Sequence, residues 1–474
     1  MNTEKFKRIV WFRHDLRTYD NPALFRAAEE QEGVLAVYFI CREMLTNHVV
    51  APVQVDFIRR HLLQLNSDLV ELNIAMMVIY VDKTTEIVPH LQTLIKQHQV
   101  EELFLNAEYP LDEFNRDKQV SETLRAQGLV VKRFHDRVII PPGMVRNGKG
   151  DPYKVFTAFK NNWIEQARVL PLQPLKKPAV QAAYDYTALT DQQINDLFKG
   201  IEQRDLCALW PAGEKEASKR LKSFVKNHIE DYQTARDFPG QEGTSQLSPY
   251  LAVGSISPRQ CIAAALQANQ GELDSGNVGV TTWISELVWR DFYQHLVVDF
   301  PEVCKFNAMQ KHTEAFPWRH DEKLFQAWCN GETGIPIVDA AMLQLKATGW
   351  MHNRLRMVVA MFLTKNLQID WRMGEHYFMT QLIDGDFAAN NGGWQWSAST
   401  GTDAAPYFRI FNPVSQSQRF DADGAFIRRY LPVLAKLPAK TIHNPPPTPG
   451  YPLPIVDLSV SRKETIALFG SLKG

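Results

Sequence analysis

The sequence predicts an α/β N-terminal domain built on a doubly wound parallel sheet, followed by a large all-α C-terminal domain. Within residues 1–135, short apolar runs alternate with helical patterns, which is typical of a parallel sheet covered on both faces. From Leu206 onward that alternation stops and helical periodicity dominates. A length of 474 residues is sufficient for two or three domains.

Five nearly continuous apolar segments in the first 135 residues predict the strands of this sheet. They are 7–12, 34–41, 75–81, 101–106 and 129–135. Periodic segments such as 52–72 predict the helices between them. A ligand of such a domain is expected at the carboxyl ends of the strands. No GxGxxG follows the first strand, so the dinucleotide-binding fingerprint is missing.

Residues 136–205 are rich in proline and predict an interdomain connection with one helical piece over 153–168. Residues 143–149 spell GxxxxGK, which would suggest a nucleotide-binding protein with a phosphate loop. Gly150 follows where Ser or Thr is needed for magnesium, and Pro141 and Pro142 precede. A surface turn is therefore the better interpretation of this segment.

Two segments of the predicted all-α domain, residues 206–474, place charged and aromatic side chains at offsets 0, 3, 4 and 7. This spacing puts each set on one helical face. A mixed face suits a cleft wall, and the alternative is a helix–helix interface with a buried Glu–Arg pair. The sets are Glu286, Trp289, Arg290 and Tyr293, and Trp350, Asn353, Arg354 and Met357.

Residues 242–249, EGTSQLSP, have the pattern of a helix start, with Ser248 as the N-cap and Pro249 as the first helical residue. Free backbone N–H groups there, with the hydroxyls of Thr244 and Ser245, would suit a phosphate. Ser257 and Pro258 repeat the cap pattern without the hydroxyls, so an ordinary cap is the alternative.

The stretch 384–413 concentrates groups that can surround a large planar ligand. Its carboxylates, amides, paired glycines and tryptophans lie within thirteen positions, and nine of the eleven tryptophans of the chain follow residue 205. The alternative is a Gly-rich loop between two helices that carries aromatic residues. The residues are Asp384, Asp386, Asn390, Asn391, Gly392, Gly393, Trp394 and Trp396.

Composition narrows the possible functions. Hydrophobic residues make up 45% and charged residues 22%, as in ordinary globular proteins, and the formal net charge is −1. Any DNA contact would therefore need a local basic patch. Five scattered cysteines without CxxC, and an N-terminal segment without a long apolar run, predict a cytoplasmic protein. No membrane span, metal motif or GxSxG elbow is present, which favours chemistry by a bound aromatic cofactor.

The segments named above, with WFRHDLR at 11–17, resemble DNA photolyases of the photolyase/cryptochrome family over nearly the whole chain. The resemblance is strongest to bacterial class I enzymes that split cyclobutane pyrimidine dimers. It implies a light-driven carbon–carbon lyase in which excited reduced FAD gives an electron to a dimer that is flipped out of damaged DNA. The carrying segments are 242–249, 283–293, 350–357 and 384–413.

The resemblance implies that FAD lies in the helical domain, and every matched position falls after residue 205. The domain is therefore expected to bind FAD without residues 1–135. Asn390 matches the amide that faces flavin N5. The matched flavin-contacting residues are Tyr232, Thr244, Ser245, Gln246, Leu247, Ser248, Arg290, Arg356, Asp384, Gly385, Asp386 and Asn390.

The same resemblance implies the residues that serve substrate and electron transfer. Trp289 and Trp396 match the aromatic platform for the dimer, and Glu286, Asn353 and Met357 match its surroundings. Glu286 would hydrogen-bond to or protonate the dimer. Arg236 and Arg354 match arginines that contact the DNA backbone, and Trp394, Trp371 and Trp318 match the chain that carries electrons to oxidised flavin.

Several positions separate the branches of the family. Enzymes for (6-4) photoproducts carry paired histidines where Asn353 and Met357 stand, and the single-strand-preferring cryptochrome branch tends to replace one or both platform tryptophans. Signalling cryptochromes usually add a long C-terminal tail, which this sequence lacks. Dimer repair is therefore expected, and a blue-light receptor acting through a protein partner is the alternative.

An antenna chromophore is expected in the first domain. His48, Cys304 and Lys305 match folate-contacting positions, but Asp112 and Glu113 stand where folate-using enzymes have Asn and Glu. The resemblance suggests 5,10-methenyltetrahydrofolate, and Asp112 leaves a deazaflavin or an empty site open. The protein is expected to act as a monomer, without metal or membrane.

Overall fold

A computed structural model describes residues 6–182 and 186–472. Its sheet is parallel throughout, with the strand order β3-β2-β1-β4-β5. All five predicted strands are confirmed, each within one residue at either end. The strands are β1 (Arg8–Phe12), β2 (Val34–Cys41), β3 (Ala75–Val81), β4 (Glu102–Asn106) and β5 (Val130–Phe134).

Successive residues of β1 enter different cores, as the two-residue period of a strand requires. Val10 and Phe12 pack in one buried cluster together with helices α1 (Pro22–Ala28) and α3 (Pro52–Val70). Ile9 and Trp11 pack in another with α4 (Ile87–His98) and α5 (Leu111–Ala126). The sheet is therefore covered by helices on both faces, as predicted; the short α2 (Arg42–Asn47) precedes α3.

The connection contains two helices, α6 (Phe156–Ala167) and α7 (Asp191–Leu197), of which the second was not predicted. The GxxxxGK segment lies in turns between β5 and α6. Gly143 and Gly150 have φ of 97° and 84° there, and an added Cβ on either would meet no described atom within 4 Å. The surface-turn interpretation is confirmed, because no strand enters the segment and no helix leaves it.

Helices dominate the remainder of the described chain. They form a third buried cluster around Trp328, Trp371 and Trp394. The helices are α8 (Glu214–Asn227), α9 (Tyr232–Ala235), α10 (Ser248–Val253), α11 (Pro258–Ala268), α12 (Val278–Asp299), α13 (Glu322–Asn330), α14 (Pro336–Thr348), α15 (Asn353–Met361), α16 (Trp371–Gln381), α17 (Phe387–Ala398), α18 (Pro413–Phe420), α19 (Ala425–Tyr430), α20 (Ala439–Ile442) and α21 (Leu458–Ser471). Shorter turns are the 3₁₀ helices Thr84–Glu86, Pro301–Lys305, Lys311–Ala315 and Pro432–Leu434, and the π-helix Phe362–Asn366.

A buried ion network docks the sheet domain onto the helices. Arg259 of α11 reaches Asp136 at 2.7 Å and Asp20 at 3.1 Å, and Arg17 pairs with the same Asp136. Close packing accompanies these charges, since a Cβ added to Gly254 would lie 2.0 Å from the carbonyl of His14. The sheet domain and the helices are therefore in close backbone contact at this boundary.

The proline-rich segment 443–454 contains turns and packs against its own domain. Tyr451 donates its hydroxyl to Asp339 at 2.6 Å, and the N–H of Ile455 binds the carbonyl of Thr333 at 3.0 Å. Across residues 6–182 and 186–472, the helices are too short or too polar to span a bilayer.

Candidate functional site

Helix α12 presents the predicted mixed face. Asn277 caps it by accepting from the N–H of Val280 at 3.0 Å. Glu286, Trp289, Arg290 and Tyr293 are all half-buried, whereas the neighbouring leucine and valine residues of the helix are buried. This pattern is typical of a helix that lines a cleft, and it extends the mixed face over two turns.

Glu286 and Arg236 form a close ion pair in this cleft, 2.5 Å apart. Burial raises the pKa of Glu286, and the guanidinium of Arg236 opposes that rise. Arg236 also lies over the ring of Tyr232, 5.5 Å from its centroid. A carboxyl with a raised pKa at a cleft wall is suited to holding a proton for a ligand.

The second predicted face is only partly correct. Helix α14 ends at Thr348 and is capped by Gly349, whose φ is 67°, and α15 begins at Asn353 after the His352 cap. Trp350 therefore lies between the helices and not on the predicted face. Its indole N–H donates to the Ser248 hydroxyl at 3.1 Å. Asn353 is exposed, and the remaining two members, Arg354 and Met357, are half-buried on α15.

Arg354 has a carboxylate partner. Its Nη2 lies 2.7 Å from Asp237, and its guanidinium lies over the ring of Phe420 at 4.6 Å. Both arginines that the resemblance assigns to DNA thus already neutralise an acid at the cleft.

The predicted N-cap role of Ser248 is wrong. Leu247 occupies the cap position without a side-chain hydrogen bond, Ser248 is the first residue of the six-residue helix α10, and its hydroxyl accepts from an indole instead. Gln246 adopts φ of 50° and accepts from Arg220 at 2.8 Å. The second predicted cap is confirmed, because Ser257 accepts from the N–H of Gln260 at 3.0 Å.

The remaining predicted residues of this region are buried or half-buried. Leu247 and Tyr232 are buried, and Thr244 and Ser245 are half-buried.

The interpretation of 384–396 as a loop is wrong beyond its first three residues. Asp386 accepts from the N–H of Ala389 at 3.1 Å and caps α17, which runs to Ala398. The paired glycines stay helical because they permit close packing: a Cβ on Gly392 would lie 2.2 Å from the ring of Tyr293. A Cβ on the half-buried Gly393 would meet no described atom within 4 Å, so its side of the helix borders open space.

Two carboxylates at the start of α17 have arginine partners. Asp384 accepts from Arg356 at 2.7 Å, and its other oxygen, Oδ1, is buried without a hydrogen-bond partner among the described residues. Asp386 accepts from Arg137 at 2.6 Å. Burial alone would raise the pKa of Asp386, but Arg137 and Arg290 hold it below its ordinary value.

Arg290 lies beside Asp386 and Arg137, and burial disfavours its positive charge. Its guanidinium donates to the carbonyl of Arg137. Burial and the neighbouring charge of Arg137 lower the pKa of Arg290, against the pull of Asp386. Three arginines and two carboxylates therefore converge at the N-terminus of α17, where the helix dipole also favours negative charge.

The structure brings the two predicted platform tryptophans together. Trp289 of α12 and Trp396 of α17 line one small cavity of about 30 Å³. Phe156, at the start of α6, stacks on Trp289 with ring centroids 3.7 Å apart and planes 6° apart. Phe156 was not singled out from the sequence, and it fixes the orientation of one indole.

The other three tryptophans lie on adjoining elements. Trp394 is buried on α17, and a Cβ on Gly374 of α16 would lie 2.2 Å from its ring. Trp371 begins α16, and its buried indole N–H has no hydrogen-bond partner among the described residues. Trp318 is half-buried and precedes Arg319, which pairs with Ile369. Two of the three are therefore buried and one is half-buried.

The side chain of Asn390 makes one hydrogen bond among the described residues. Its Nδ2 donates to the carbonyl of Glu375 at 3.0 Å, which leaves its side-chain oxygen available to a ligand.

A second cavity, of about 200 Å³, opens at the carboxyl ends of β1 and β2. His48 lies there 3.2 Å from Glu113 and 3.4 Å from Asp112. Burial would lower the pKa of His48, but its two carboxylate neighbours raise it. Cys304 also lines this cavity, whereas the exposed Lys305 is absent from its lining and pairs with Glu302 at 3.5 Å. Four of the five predicted antenna residues therefore come together.

Comparison with known proteins matches both halves of the chain. A profile described as DNA photolyase matches residues 8–179, and one described as the FAD binding domain of DNA photolyase matches residues 283–471. The chain is similar to proteins named deoxyribodipyrimidine photo-lyase. That of Vibrio cholerae is 43% identical over 98% of this chain and 100% of the relative, and that of Escherichia coli is 43% identical over 97% and 98%.

Solved structures agree with this likeness. A class III photolyase from Agrobacterium tumefaciens has a TM-score of 0.89 at 34% identity, over 99% of this chain and 98% of that one. An archaeal photolyase from Sulfolobus tokodaii, described with two FAD molecules, has a TM-score of 0.83 at 29% identity, over 98% and 99%. A Synechocystis cryptochrome has a TM-score of 0.85 at 28% identity, over 99% and 100%.

Proposed function

Because this chain belongs to the DNA photolyase family, we propose that it repairs cyclobutane pyrimidine dimers in DNA as a light-driven, FAD-dependent carbon–carbon lyase. The observation that carries this proposal is that α12 and α17 together form one wall of a cleft. The Glu286 and Trp289 face of α12 stands beside the start of α17, so a proton-holding carboxyl and a stacking platform lie next to the proposed flavin residues.

The residues present fit FAD. Asp384 Oδ1 is buried without a partner among the described residues, and open space borders Gly393. Arg290 and Arg356 supply donors for anionic or carbonyl oxygens, and the free amide oxygen of Asn390 can accept from a ring N–H. A nucleotide cofactor with phosphates and a heteroaromatic ring uses all of these groups.

When bound and reduced, FAD supplies the light-driven electron that opens the cyclobutane ring of the dimer. The chain itself holds the substrate. Trp289 and Trp396 would stack on the flipped pyrimidines, whose loss of pairing lowers the cost of flipping. Glu286 would hydrogen-bond to or protonate the dimer, and burial raises its pKa. Arg236 and Arg354 would contact the phosphates beside it.

The decisive experiment is to illuminate the purified, chemically reduced protein with an oligonucleotide that carries one thymine dimer. Intact thymines are then measured against a dark sample. We expect light-dependent restoration of both thymines, and its absence with FAD bound would overturn the proposed function. Trp396→Ala is the matched variant. Its repair should fall below that of the parent at low DNA concentration before it does so at high DNA concentration.

A second proposal assigns the inward electron path to Trp318, Trp371 and Trp394. The order of these residues from a half-buried to two buried positions supports it. Their role is to re-reduce oxidised flavin, so they are separate from the repair step.

The blue-light receptor stays the alternative because a cryptochrome shares this fold with a TM-score of 0.85. Its identity of 28% is below the 43% shared with named photo-lyases. Both platform tryptophans and Asn390 are also present. Repair is therefore the better-supported function.

The antenna cofactor of the family would occupy the 200 Å³ cavity. We propose 5,10-methenyltetrahydrofolate, supported by the positions of His48, Glu113 and Cys304 along its wall. Asp112, 3.4 Å from His48, stands where folate-using relatives have Asn, so a deazaflavin or an empty site is the alternative. Absorption spectra of extracted chromophore distinguish the two.

We further propose that the protein works as a monomer in the cytoplasm. All five cysteines are unpaired thiols, which suits a reducing compartment. Damaged DNA is the partner. No group of three or more potential metal ligands occurs among residues 6–182 and 186–472.

A further inference from the structure

Two side chains from the first part of the chain hold segment 384–386 from outside the helical domain. Gln54, on α3, donates from Nε2 to the carbonyl of Gly385 at 2.8 Å. Arg137, after β5, donates from Nη2 to Asp386 at 2.6 Å. A segment proposed to bind flavin is therefore fixed by donors 331 and 249 residues away in sequence.

The fit between Gln54 and this segment is close. A Cβ on Gly385 would lie 2.9 Å from Gln54 Oε1, so any larger residue would push the two apart. Gln54 is only 3% exposed, and its burial keeps the amide in place. The glycine between the two aspartates leaves room for this amide, and a side chain there would displace the end of Gln54.

Arg137 is fixed from both sides. Its guanidinium lies 3.9 Å from Glu108, which is buried and bound by Arg116 at 2.6 Å. Its carbonyl accepts from Arg290 of α12. Arg137 therefore ties the sheet domain to Asp386 and, through its backbone, to a second proposed flavin residue.

We propose that Gln54 and Arg137 are positioning residues that hold segment 384–386 in its flavin-binding geometry, so that flavin affinity depends on the docked α/β domain. This inference rests on the proposed roles of Asp384 and Asp386 in flavin binding. It changes the expectation that residues 206–474 suffice for FAD, because both donors lie outside that range.

The test is an FAD titration of apo-protein made from the full-length chain. Gln54→Ala should bind FAD about 5-fold more weakly, since a neutral hydrogen bond is lost. Arg137→Gln should bind it about 10- to 100-fold more weakly, since a charge-assisted bond is lost. Arg137→Lys keeps the charge and should recover most of the affinity. The titration is made without folate, because Gln54 and Arg137 also line the 200 Å³ cavity.

Arg133→Gln is the matched control, because Arg133 is an exposed arginine four residues earlier that does not line the cavity. It should bind FAD as the parent does. Thermal melting of each apo-protein separates positioning from folding. Parent-like affinity in Gln54→Ala and Arg137→Gln, or a loss of stability without a loss of affinity, would overturn the inference. If Arg137→Gln does not fold, Gln54→Ala and Gln54→Leu decide the question.

Asp384→Asn and Asp386→Asn separate this inference from the proposed function. Weak FAD binding in both, together with normal binding in the Gln54 and Arg137 variants, would refute only the positioning role. Normal FAD binding in both aspartate variants would remove the flavin assignment on which the inference depends.

Discussion

Replacing Trp289 or Trp396 by alanine should remove selectivity for damaged DNA while sparing the weak binding of undamaged DNA. Phe156 already covers one face of Trp289 at 3.7 Å, so at most one face is left for a base. One stacked base is worth roughly 1–3 kcal/mol by alanine substitution, which is about a 5- to 150-fold loss of affinity. Undamaged duplex keeps its bases stacked and should contact mainly the basic rim.

The assay compares Kd values for matched oligonucleotides with and without one thymine dimer, alongside Tm of each variant. Trp289→Phe keeps an aromatic ring against Phe156 and should retain part of the selectivity. Trp328→Phe is the matched control, because Trp328 is fully buried in the cluster around Trp371 and Trp394 and does not line the platform cavity. It should lower Tm without changing selectivity. Equal losses on both DNAs after Trp289→Ala, or a collapse of its Tm, would refute the stacking assignment.

Three further outcomes are expected. Trp394→Phe should slow photoreduction of oxidised flavin, because phenylalanine is far harder to oxidise, while repair by chemically reduced protein stays intact; equal photoreduction would contradict this. Affinity for damaged DNA should fall with salt, and Arg236→Gln and Arg354→Gln should each reduce the log–log slope by about 1, as for a lost phosphate contact; a flat plot in the parent would contradict it. Burial raises the pKa of Glu286, so its protonated form persists to higher pH than in a free glutamate, and repair should decline as pH rises through that pKa. Glu286→Gln should remove this pH dependence, and an unchanged profile would exclude Glu286 as its source.

The strands and the mixed face of α12 could be predicted because their signals are local. A continuous apolar run fixes a strand such as β2, and offsets of 3, 4 and 7 fix one face of a helix such as α12. The misplacement of Trp350 was avoidable, since Gly349 after a helical pattern is a stop signal.

The helix α17 was missed for a tertiary reason. Two glycines and a run of amides disfavour a helix by intrinsic propensity. Close contact between Gly392 and Tyr293 outweighs that preference, and only the packed structure shows it. The same holds for Trp394 against Gly374, a close contact between α17 and α16 that has no sequence signal.

Residues that act across the domain boundary also escaped the sequence. Gln54 resembles any polar residue of an amphipathic helix, and Arg137 and Phe156 lie in or beside an irregular connection. Their partners are Gly385, Asp386 and Trp289, each more than a hundred residues away. Contacts of that separation leave no periodic pattern in one sequence.

The pairing of the cleft arginines with carboxylates explains how a chain with a net charge of −1 can bind DNA without binding other anions equally well. Arg236 lies 2.5 Å from Glu286, and Arg354 lies 2.7 Å from Asp237. A phosphate must replace each carboxylate, so separating the existing ion pair offsets part of its attraction to the arginine. Only DNA that also stacks on the platform tryptophans therefore gains enough binding free energy. When a phosphate draws Arg236 away, Glu286 loses the charge that lowers its pKa. We therefore expect the carboxyl to hold its proton more firmly with DNA bound, which is the state in which a proton beside the dimer is useful.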